Sequence, residues 1–255
     1  MAGKCTGMLR IVLFLILHNS ADALSQTEIR RCISSHNKLR ALHTNTNPLE
    51  WDEGIAVLAQ RYAEKLLADH RGRRKTYLVH DTTRNGLGEN LYWSDNKNMA
   101  TCAQASLAWY VEIEDYDYTT ARTKNGKAVG HFTQLVWTDT TKFGVGIASG
   151  KSRIYADYGN VETFIVAKYA PRGNFHYTGE RLQTYTEKVQ PRIAGAVTPS
   201  LFELDPSMAT VANRPCIDKY GQTRCYNFMY NWGYSCEGKY AKLFEKNCYK
   251  TCGYC

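Results

Sequence analysis

No stretch of this 255-residue sequence is apolar over the length that a membrane span requires. The one apolar run, residues 11–17, is far shorter than the about 20 residues of a transmembrane helix. Basic residues Lys4 and Arg10 precede it and small residues follow at positions 21–23, as in a secretory signal peptide. We therefore expect residues 1–23 to be removed and the mature chain to be secreted, extracellular and without a transmembrane segment.

Motifs that define several enzyme classes are also absent. The sequence has no His-Glu-x-x-His zincin motif, no Gly-x-Ser-x-Gly nucleophile elbow and no Asn-x-Ser/Thr glycosylation acceptor. It has no nucleic-acid-binding motif either, and we expect no nucleic-acid partner.

The net charge of the chain is +8, and removal of a signal peptide that carries +1 leaves +7. This modest positive charge favours adhesion to anionic surfaces, and we interpret the basic run at residues 71–75 as a solvated loop.

Cysteine is unevenly distributed along the chain. Of the nine cysteines, Cys5 lies in the signal peptide and six lie in residues 216–255. An even number in an exported chain favours disulfides. A segment of about 40 residues needs such crosslinks, whereas a domain of about 150 residues buries an adequate core unaided. The remaining two, Cys32 and Cys102, lie on predicted inward helix faces, so we predict that they bond; free buried thiols are the alternative.

Capping and periodicity predict three helices. Ser25 and Glu28 form a capping-box pattern before the first, Asp52 caps the second, and the third runs from about residue 99 to residue 113. The stripes that face inward are Ile29, Cys32, Ile33, His36 and Leu39, then Ile55, Leu58, Ala59, Tyr62 and Leu66, then Cys102, Ala105, Trp109 and Glu112.

The second part of the large domain has a different pattern. Segments 143–148, 153–158 and 164–169 are short, rich in β-branched or aromatic residues and separated by glycine or asparagine turns, which predicts strands. Helices followed by strands indicate an α+β fold.

Five motifs between residues 25 and 175 occur in a characteristic order. They are Val79-His80, Gly88-Glu89-Asn90-Leu91, Trp109-Tyr110-Val111-Glu112-Ile113, Gly130-His131-Phe132-Thr133-Gln134-Leu135-Val136-Trp137 and Tyr169-Ala170-Pro171-Arg172-Gly173-Asn174-Phe175. This set resembles the CAP superfamily of cysteine-rich secretory proteins, antigen 5 and pathogenesis-related 1, and is most similar to invertebrate venom-allergen-like proteins. The resemblance implies a three-layer α-β-α sandwich over residues 24–175, the SCP domain. One departure is Ala167, followed by Lys168, where the family's second signature usually has a cysteine.

The resemblance also implies a site. In CAP proteins two histidines and two glutamates converge in a central cleft, and the matching residues are His80, Glu89, Glu112 and His131. His70 is the alternative to His80, because the loop before Glu89 varies in length. Glu112 shares a stripe with apolar side chains, so its carboxylate needs a partner or a proton. A structural pair with an arginine is the alternative to a functional role.

This tetrad is compatible with three chemistries. Neutral His80 and His131 could bind a divalent metal such as zinc, although the implied function requires no cofactor. Glu89 or Glu112 beside a histidine could act as a general base. We expect a non-catalytic binding protein whose cleft holds a metal or small ligand. The alternatives are a metal-assisted or Glu/His-based protease and an extracellular sterol- or lipid-binding protein.

The C-terminal part is predicted to contain a flexible linker and a small module. Residues 176–215 have little apolar periodicity and are interrupted by prolines, which is typical of a linker. Six cysteines allow 15 pairings, but Cys216-Ile217-Asp218, Thr223-Arg224-Cys225 and the closing Cys248-Tyr249-Lys250-Thr251-Cys252-Gly253-Tyr254-Cys255 resemble the ShK-toxin-like (ShKT) pattern over residues 216–255. That resemblance implies the pairs Cys216–Cys255, Cys225–Cys248 and Cys236–Cys252.

In channel-blocking relatives of this module a Lys-Tyr pair lies between the third and fourth cysteines. Lys239 and Tyr240 occupy that interval here, so the resemblance implies a potassium channel or another cell-surface protein as a partner, in a venom or defence role. A plain appendage or adhesion module is the alternative.

Overall fold

A computed structural model describes residues 24–70, 78–84, 86–94, 100–151 and 161–206. The helices of these ranges are α1 (Gln26–Arg40), α2 (Glu53–Asp69), α3 (Cys102–Tyr110), α4 (Gly130–Leu135), α5 (Arg181–Lys188) and α6 (Leu201–Leu204). The strands are β1 (Glu50–Trp51), β2 (Gly88–Ser94), β3 (Tyr116–Asp117), β4 (Arg122–Thr123), β5 (Lys142–Lys151) and β6 (Val161–Ala170). The predicted signal peptide, the predicted strand at residues 153–158 and the cysteine-rich tail with Lys239 and Tyr240 lie outside the described residues.

The first two helices begin where their capping residues predict. The Ser25 hydroxyl accepts a hydrogen bond from the backbone N–H of Glu28 at 3.2 Å, and the Glu28 carboxylate accepts one from the backbone N–H of Ser25 at 3.0 Å. The Asp52 carboxylate accepts from the N–H of Ile55 at 3.0 Å and so caps α2. These bonds satisfy donors that the first turn of a helix leaves unpaired.

The third helix is shorter than its periodicity predicts. A capping box made by Thr101 and Gln104 starts α3 at Cys102, and the helix ends at Tyr110. The chain continues as a 3-10 helix over Val111–Asp115. Glu112 therefore lies on a tighter turn than the rest of its predicted stripe.

A four-stranded sheet with the order β1-β5-β6-β2 forms the centre of the domain. β1 runs parallel to β5, and β6 runs antiparallel to both β5 and β2. The motif that contains Glu89 lies on β2, an edge strand that the sequence pattern did not predict. In the β2–β6 register Glu89 lies opposite Lys168, which brings two charged side chains to one position on the sheet.

Side chains of β6 alternate between two hydrophobic cores. Ile165, Ala167 and Tyr169 face a cluster that contains buried residues of α1 and α3, whereas Phe164 and Val166 face a cluster built on α2. Strand side chains point alternately to the two faces of a sheet, so both faces of this sheet are covered by helices. The predicted α+β fold with an α-β-α arrangement is confirmed.

Helix α2 approaches the sheet closely because β5 carries two glycines. A Cβ atom at Gly144 would overlap the backbone of Ala56, and one at Gly146 would overlap the backbone of Gln60. The missing side chains thus let the helix lie directly on the strand.

On the opposite side of the sheet, Cys32 and Cys102 form a disulfide with a Cα–Cα distance of 5.0 Å, which joins α1 to α3.

The segment after residue 175 packs onto the domain as far as residue 206. Tyr185 of α5 is buried and contacts the ring of Trp137 edge-on at 5.1 Å, and Leu201 and Leu204 of α6 are buried in the α1–α3 core. Residues 176–206, which the sequence predicts as part of a flexible linker, thus contain two helices with side chains buried in the domain. Most of the segment is exposed or half-buried, but the few buried apolar residues, among them Tyr185, Leu201 and Leu204, anchor it to the domain. None of the helices in the described part of the chain has the length and apolarity needed to cross a membrane.

Candidate functional site

Three of the sequence motifs meet around the side chain of Gln134 on α4. The Gln134 carboxamide oxygen accepts from the backbone N–H of Gly173 at 2.9 Å, and its amide donates to the Thr140 hydroxyl at 3.3 Å. A Cβ atom at Gly88 or at Gly173 would overlap Gln134. Glycine at both positions therefore lets β2, α4 and the loop after β6 pack together, and Gln134 holds them in place.

A buried charge network surrounds Glu89 on β2. The Nδ1 atom of His80 lies 2.7 Å from one Glu89 oxygen, which also accepts from the backbone N–H of Asp81 at 3.0 Å. The Lys168 ammonium donates to the other oxygen at 2.8 Å and to Asp81 at 2.8 Å. Exposure differs sharply within this network: the Glu89 side chain is 0% exposed and that of Lys168 1%, whereas that of His80 is 50% exposed. The imidazole of His80 is therefore the most exposed group of the network, and the Asp81 side chain is only 15% exposed.

Two opposing effects set the pKa of Glu89. Burial alone would raise the pKa of this carboxyl, but hydrogen bonds from His80, Lys168 and the Asp81 backbone outweigh burial and hold the pKa below its ordinary value of 4.5. At Asp81, burial likewise raises the pKa, and bonds from Lys168 and Thr83 lower it below 3.8. Both carboxylates are therefore charged throughout the neutral range.

We expect this network to lose its stabilising effect in acid. Because the folded-state pKa of Glu89 is depressed, its contribution is complete above the ordinary carboxyl pKa and disappears as the pH falls through the folded value. Glu89→Gln should therefore lower the free energy of unfolding at pH 7, and the gap to the wild type should narrow towards pH 3. Urea unfolding between pH 7 and pH 3 measures this gap. An equal gap at every pH, or the same narrowing in the exposed control Glu50→Gln, would contradict the assignment.

The second pair, Glu112 and His131, closes the N-terminus of α4. The Nδ1 atom of His131 lies 2.6 Å from one Glu112 oxygen. The other oxygen accepts from the backbone N–H groups of His131 at 2.9 Å and Phe132 at 3.1 Å. Val129, the N-cap residue, provides no side-chain bond, so Glu112 caps this helix from another element. The partner of Glu112 is thus a helix end and an imidazole, not the arginine considered above.

Asn90 and Trp109 connect the His131 pair to the strand that carries Glu89. The Asn90 amide, one residue after Glu89, donates to the His131 carbonyl at 3.0 Å. The Trp109 indole donates to the Leu91 carbonyl at 3.0 Å and stacks on the His131 ring, with centroids 6.4 Å apart. The two pairs are therefore held on a common framework, and within it each imidazole contacts its own glutamate.

A groove of about 350 Å³ opens beside the first pair. We call it the His80 groove. Its lining includes His80, Arg84, Glu89, Arg172, Asn174 and Phe175. Glu112 and His131 are not among its lining residues, so this groove contains one His–Glu pair of the implied tetrad and not the other.

Other histidines have structural partners. His70, the alternative to His80, is buried and pairs with Glu162 at 2.7 Å, so it does not contact Glu89. His36 is fully buried and contacts the Ser106 hydroxyl at 3.1 Å, and burial lowers its pKa to about 3. This serine–histidine contact has no access to solvent and cannot meet a substrate. His43 is also buried, and its ring contacts the Tyr110 hydroxyl at 2.9 Å.

The two pairs fit a metal only in part. A carboxylate on Nδ1 is the arrangement that orients the Nε2 atom of a metal-binding histidine, and both His80 and His131 have it. A zinc site, however, takes three or four protein ligands. Among the described residues no group of three or more histidine, cysteine, aspartate or glutamate side chains could hold a metal ion. His80 and His131 thus do not form a metal site with the described residues.

The residues that sequence reasoning missed are Lys168 and Gln134. In the sequence, Lys168 stands out only as a departure from the family signature, and Gln134 only as part of the motif that contains His131. The available signal was the position of Lys168 next to a signature tyrosine on a predicted strand, where a charged residue is unexpected in a buried sheet.

Comparisons with known proteins agree with these motifs. Residues 33–169 match the CAP family, described as the cysteine-rich secretory protein family. The chain is 30% identical over 172 residues to venom allergen 5 of Microctonus hyperodae, which covers 59% of this chain and 69% of that protein. It is 31% identical over 164 residues to pathogenesis-related protein 1C of Nicotiana tabacum, which covers 64% and 86%. The solved structure of BmVAL-1 superposes with a TM-score of 0.48 at 22% identity, over 61% of this chain and 82% of that one.

The family match extends over more than half of the chain and includes β2, α3, α4, β5 and most of β6. It therefore contains both His–Glu pairs, Gln134 and Lys168. On this match, and on relatives that are 30–31% identical to it over the aligned residues, the chain belongs to the CAP family of cysteine-rich secretory proteins.

Proposed function

We propose that this protein is an extracellular binding protein that acts without catalysis, and that the exposed imidazole edges of its two His–Glu pairs contact the ligand. The observation that carries this proposal is the state of the two carboxylates. The oxygens of Glu89 accept from His80, Asp81 and Lys168, and those of Glu112 accept from His131 and Phe132. Each oxygen thus already has at least one donor inside the protein.

This arrangement suits positioning better than proton transfer. A general base must direct a lone pair at the proton that it removes, whereas these carboxylates hold an imidazole, a lysine or a helix end. The bond to Nδ1 leaves Nε2 of each histidine directed away from its glutamate. Glu89 and Glu112, the candidate catalytic residues, are therefore proposed as supports for His80 and His131.

The relatives support an extracellular setting for this activity. Their names, venom allergen 5 and pathogenesis-related protein 1C, describe those proteins, and we extend from them a secreted role of the venom or defence type. The cysteine-rich tail is the second part of the proposal: residues 216–255 act as a ShKT module, with Lys239 and Tyr240 as its proposed contacts on a cell-surface protein such as a potassium channel.

Peptide hydrolysis separates binding from catalysis. We expect the mature protein to leave a broad peptide library intact, with or without added zinc, to the same extent as a His80→Ala/His131→Ala double variant. The library is analysed by mass spectrometry after prolonged incubation. The variant His176→Ala is the matched control, because it removes a histidine near the groove that belongs to neither pair.

Cleavage by the wild type and by His176→Ala, absent in the double variant, would make the protein an enzyme and overturn the proposal. Cleavage that persists unchanged in the double variant originates from a contaminant and leaves the proposal standing. The double variant should also keep the wild-type unfolding midpoint within a few degrees, which shows that the comparison is between folded proteins.

A further inference from the structure

The His80 groove has an unusual balance of charge. Two arginines line it, Arg84 and Arg172, and among the described residues neither guanidinium has a carboxylate within the 4.0 Å of an ion pair. The acidic residue in the lining is Glu89, one of whose oxygens accepts from buried Lys168, an ammonium group that also bonds to Asp81. The described lining therefore presents two arginines without an ion pair beside a single carboxylate, whose two oxygens are already bonded inside the protein.

A third guanidinium lies directly behind the groove wall. Arg181 donates to the Nε2 atom of His176 at 3.3 Å, and the Nδ1 atom of His176 donates to the Tyr177 carbonyl at 3.0 Å. These bonds fix the His176 ring at the edge of the groove and add a positive field from the same side. The same arginine donates to the Ala121 carbonyl at 3.0 Å, so its position is also fixed.

Arg172 is held by its surroundings before any ligand arrives. Its guanidinium lies 4.7 Å from the centre of the Phe175 ring, a contact that leaves the N–H groups at the guanidinium edge directed outward. The loop beneath it is anchored, because Asn174 donates to the Gly130 carbonyl at 2.8 Å and accepts from the Thr133 hydroxyl at 2.6 Å. Less side-chain freedom is thus lost when Arg172 binds a partner.

We propose that the His80 groove binds an oxyanion group, a sulfate, phosphate or carboxylate carried by a small ligand, between Arg84 and Arg172. Guanidinium groups bind such anions through paired, charge-assisted hydrogen bonds. A volume of about 350 Å³ accommodates a small molecule. The exposed ring of Phe175 offers an apolar contact for the rest of the ligand. This inference rests on the proposed binding function and specifies the ligand class at the His80 pair of the proposed site.

Titration of the full chain with simple anions tests this proposal. We expect at least one of four anions to bind: inorganic sulfate, inorganic phosphate, acetate and phenyl phosphate. Isothermal titration at constant ionic strength measures the binding. Phenyl phosphate should bind more tightly than inorganic phosphate because the Phe175 ring offers an apolar contact. Arg84→Ala and Arg172→Ala should each weaken binding about tenfold, the equivalent of one lost charge-assisted contact. The matched control is Arg122→Ala, an exposed arginine on β4.

Three results would overturn the inference. The first is unchanged anion binding in an Arg84→Ala/Arg172→Ala double variant, and the second is an equal loss of affinity in Arg122→Ala. The third is that none of the four anions binds at concentrations up to about 10 mM. The double variant should keep the wild-type unfolding midpoint, because neither guanidinium is bonded to another described polar group. The two proposals fail separately: cleavage that depends on His80 and His131 would overturn the proposed function whatever the anion affinity, whereas loss of anion binding leaves the peptide result unaffected.

Discussion

Replacement of Lys168 by methionine is expected to destabilise the protein by about 3–5 kcal/mol, the usual result of removing one partner of a buried ion pair. The Lys168 side chain is 1% exposed and its ammonium group bonds to both Glu89 and Asp81 at 2.8 Å. Methionine fills a similar volume, so most of the loss comes from the Glu89 carboxylate, which stays buried without its cation. Urea unfolding at pH 7 measures the difference.

The pH dependence of that loss identifies its origin. Without Lys168, burial dominates and the pKa of Glu89 rises, so the variant relieves its buried charge by binding a proton as the pH falls. The stability gap to the wild type should therefore narrow in acid. The Glu89→Gln/Lys168→Met double variant should be more stable than Lys168→Met alone, because both charges are then gone.

Lys142→Met is the matched control for Lys168. Lys142 also lies on the central sheet, but its side chain is 52% exposed and its ion pair with Asp52 is 3.6 Å long. Exposed pairs contribute little to stability, so we expect a change of at most about 0.5 kcal/mol. A pH-independent loss at Lys168, with no recovery in the double variant, would mean that packing and not charge compensation is its role.

The parts of the fold that the sequence predicts are those that depend on neighbouring residues. The Ser25–Glu28 capping box and the Asp52 cap are local bonds, and both helices begin where these residues place them. The inward stripe of α1 is likewise a property of 15 consecutive residues. Such features follow from helical periodicity and need no knowledge of the rest of the chain.

The site could be predicted only in part because its contacts cross between elements. The pairing of Lys168 with Glu89 depends on the register of two antiparallel strands that are far apart in the sequence. Glu112 caps α4, a helix that follows it by a loop and a hairpin. Residue types and motif order therefore suggest the two histidines and two glutamates as candidates. The hydrogen-bond partners of each side chain, however, can be assigned only from the tertiary structure.

Replacement of Arg40 by methionine is expected to cost about 3–5 kcal/mol, because each buried carbonyl deprived of its donor costs about 1–3 kcal/mol and such losses are not fully additive. Arg40 is fully buried on α1 and donates to the carbonyls of Asn47, Leu135, Trp137 and Thr140 at distances between 2.7 and 3.2 Å. Burial lowers the pKa of Arg40 to about 10, so the group is charged at neutral pH and its bonds are charge-assisted.

The effect of Arg40 should reach the site through α4. Leu135 is the last residue of α4 and Trp137 follows it, so the guanidinium fixes the C-terminal end of the helix whose N-terminal end carries His131. Arg40→Lys keeps the charge but cannot donate in four directions at once, and we expect an intermediate loss of stability in urea unfolding. Arg30→Met, an exposed arginine of the same helix, should change stability by at most about 0.5 kcal/mol. If Arg40→Lys were as stable as the wild type, the positive charge alone would account for the role of Arg40, and the four carbonyl bonds would not hold α4 in place.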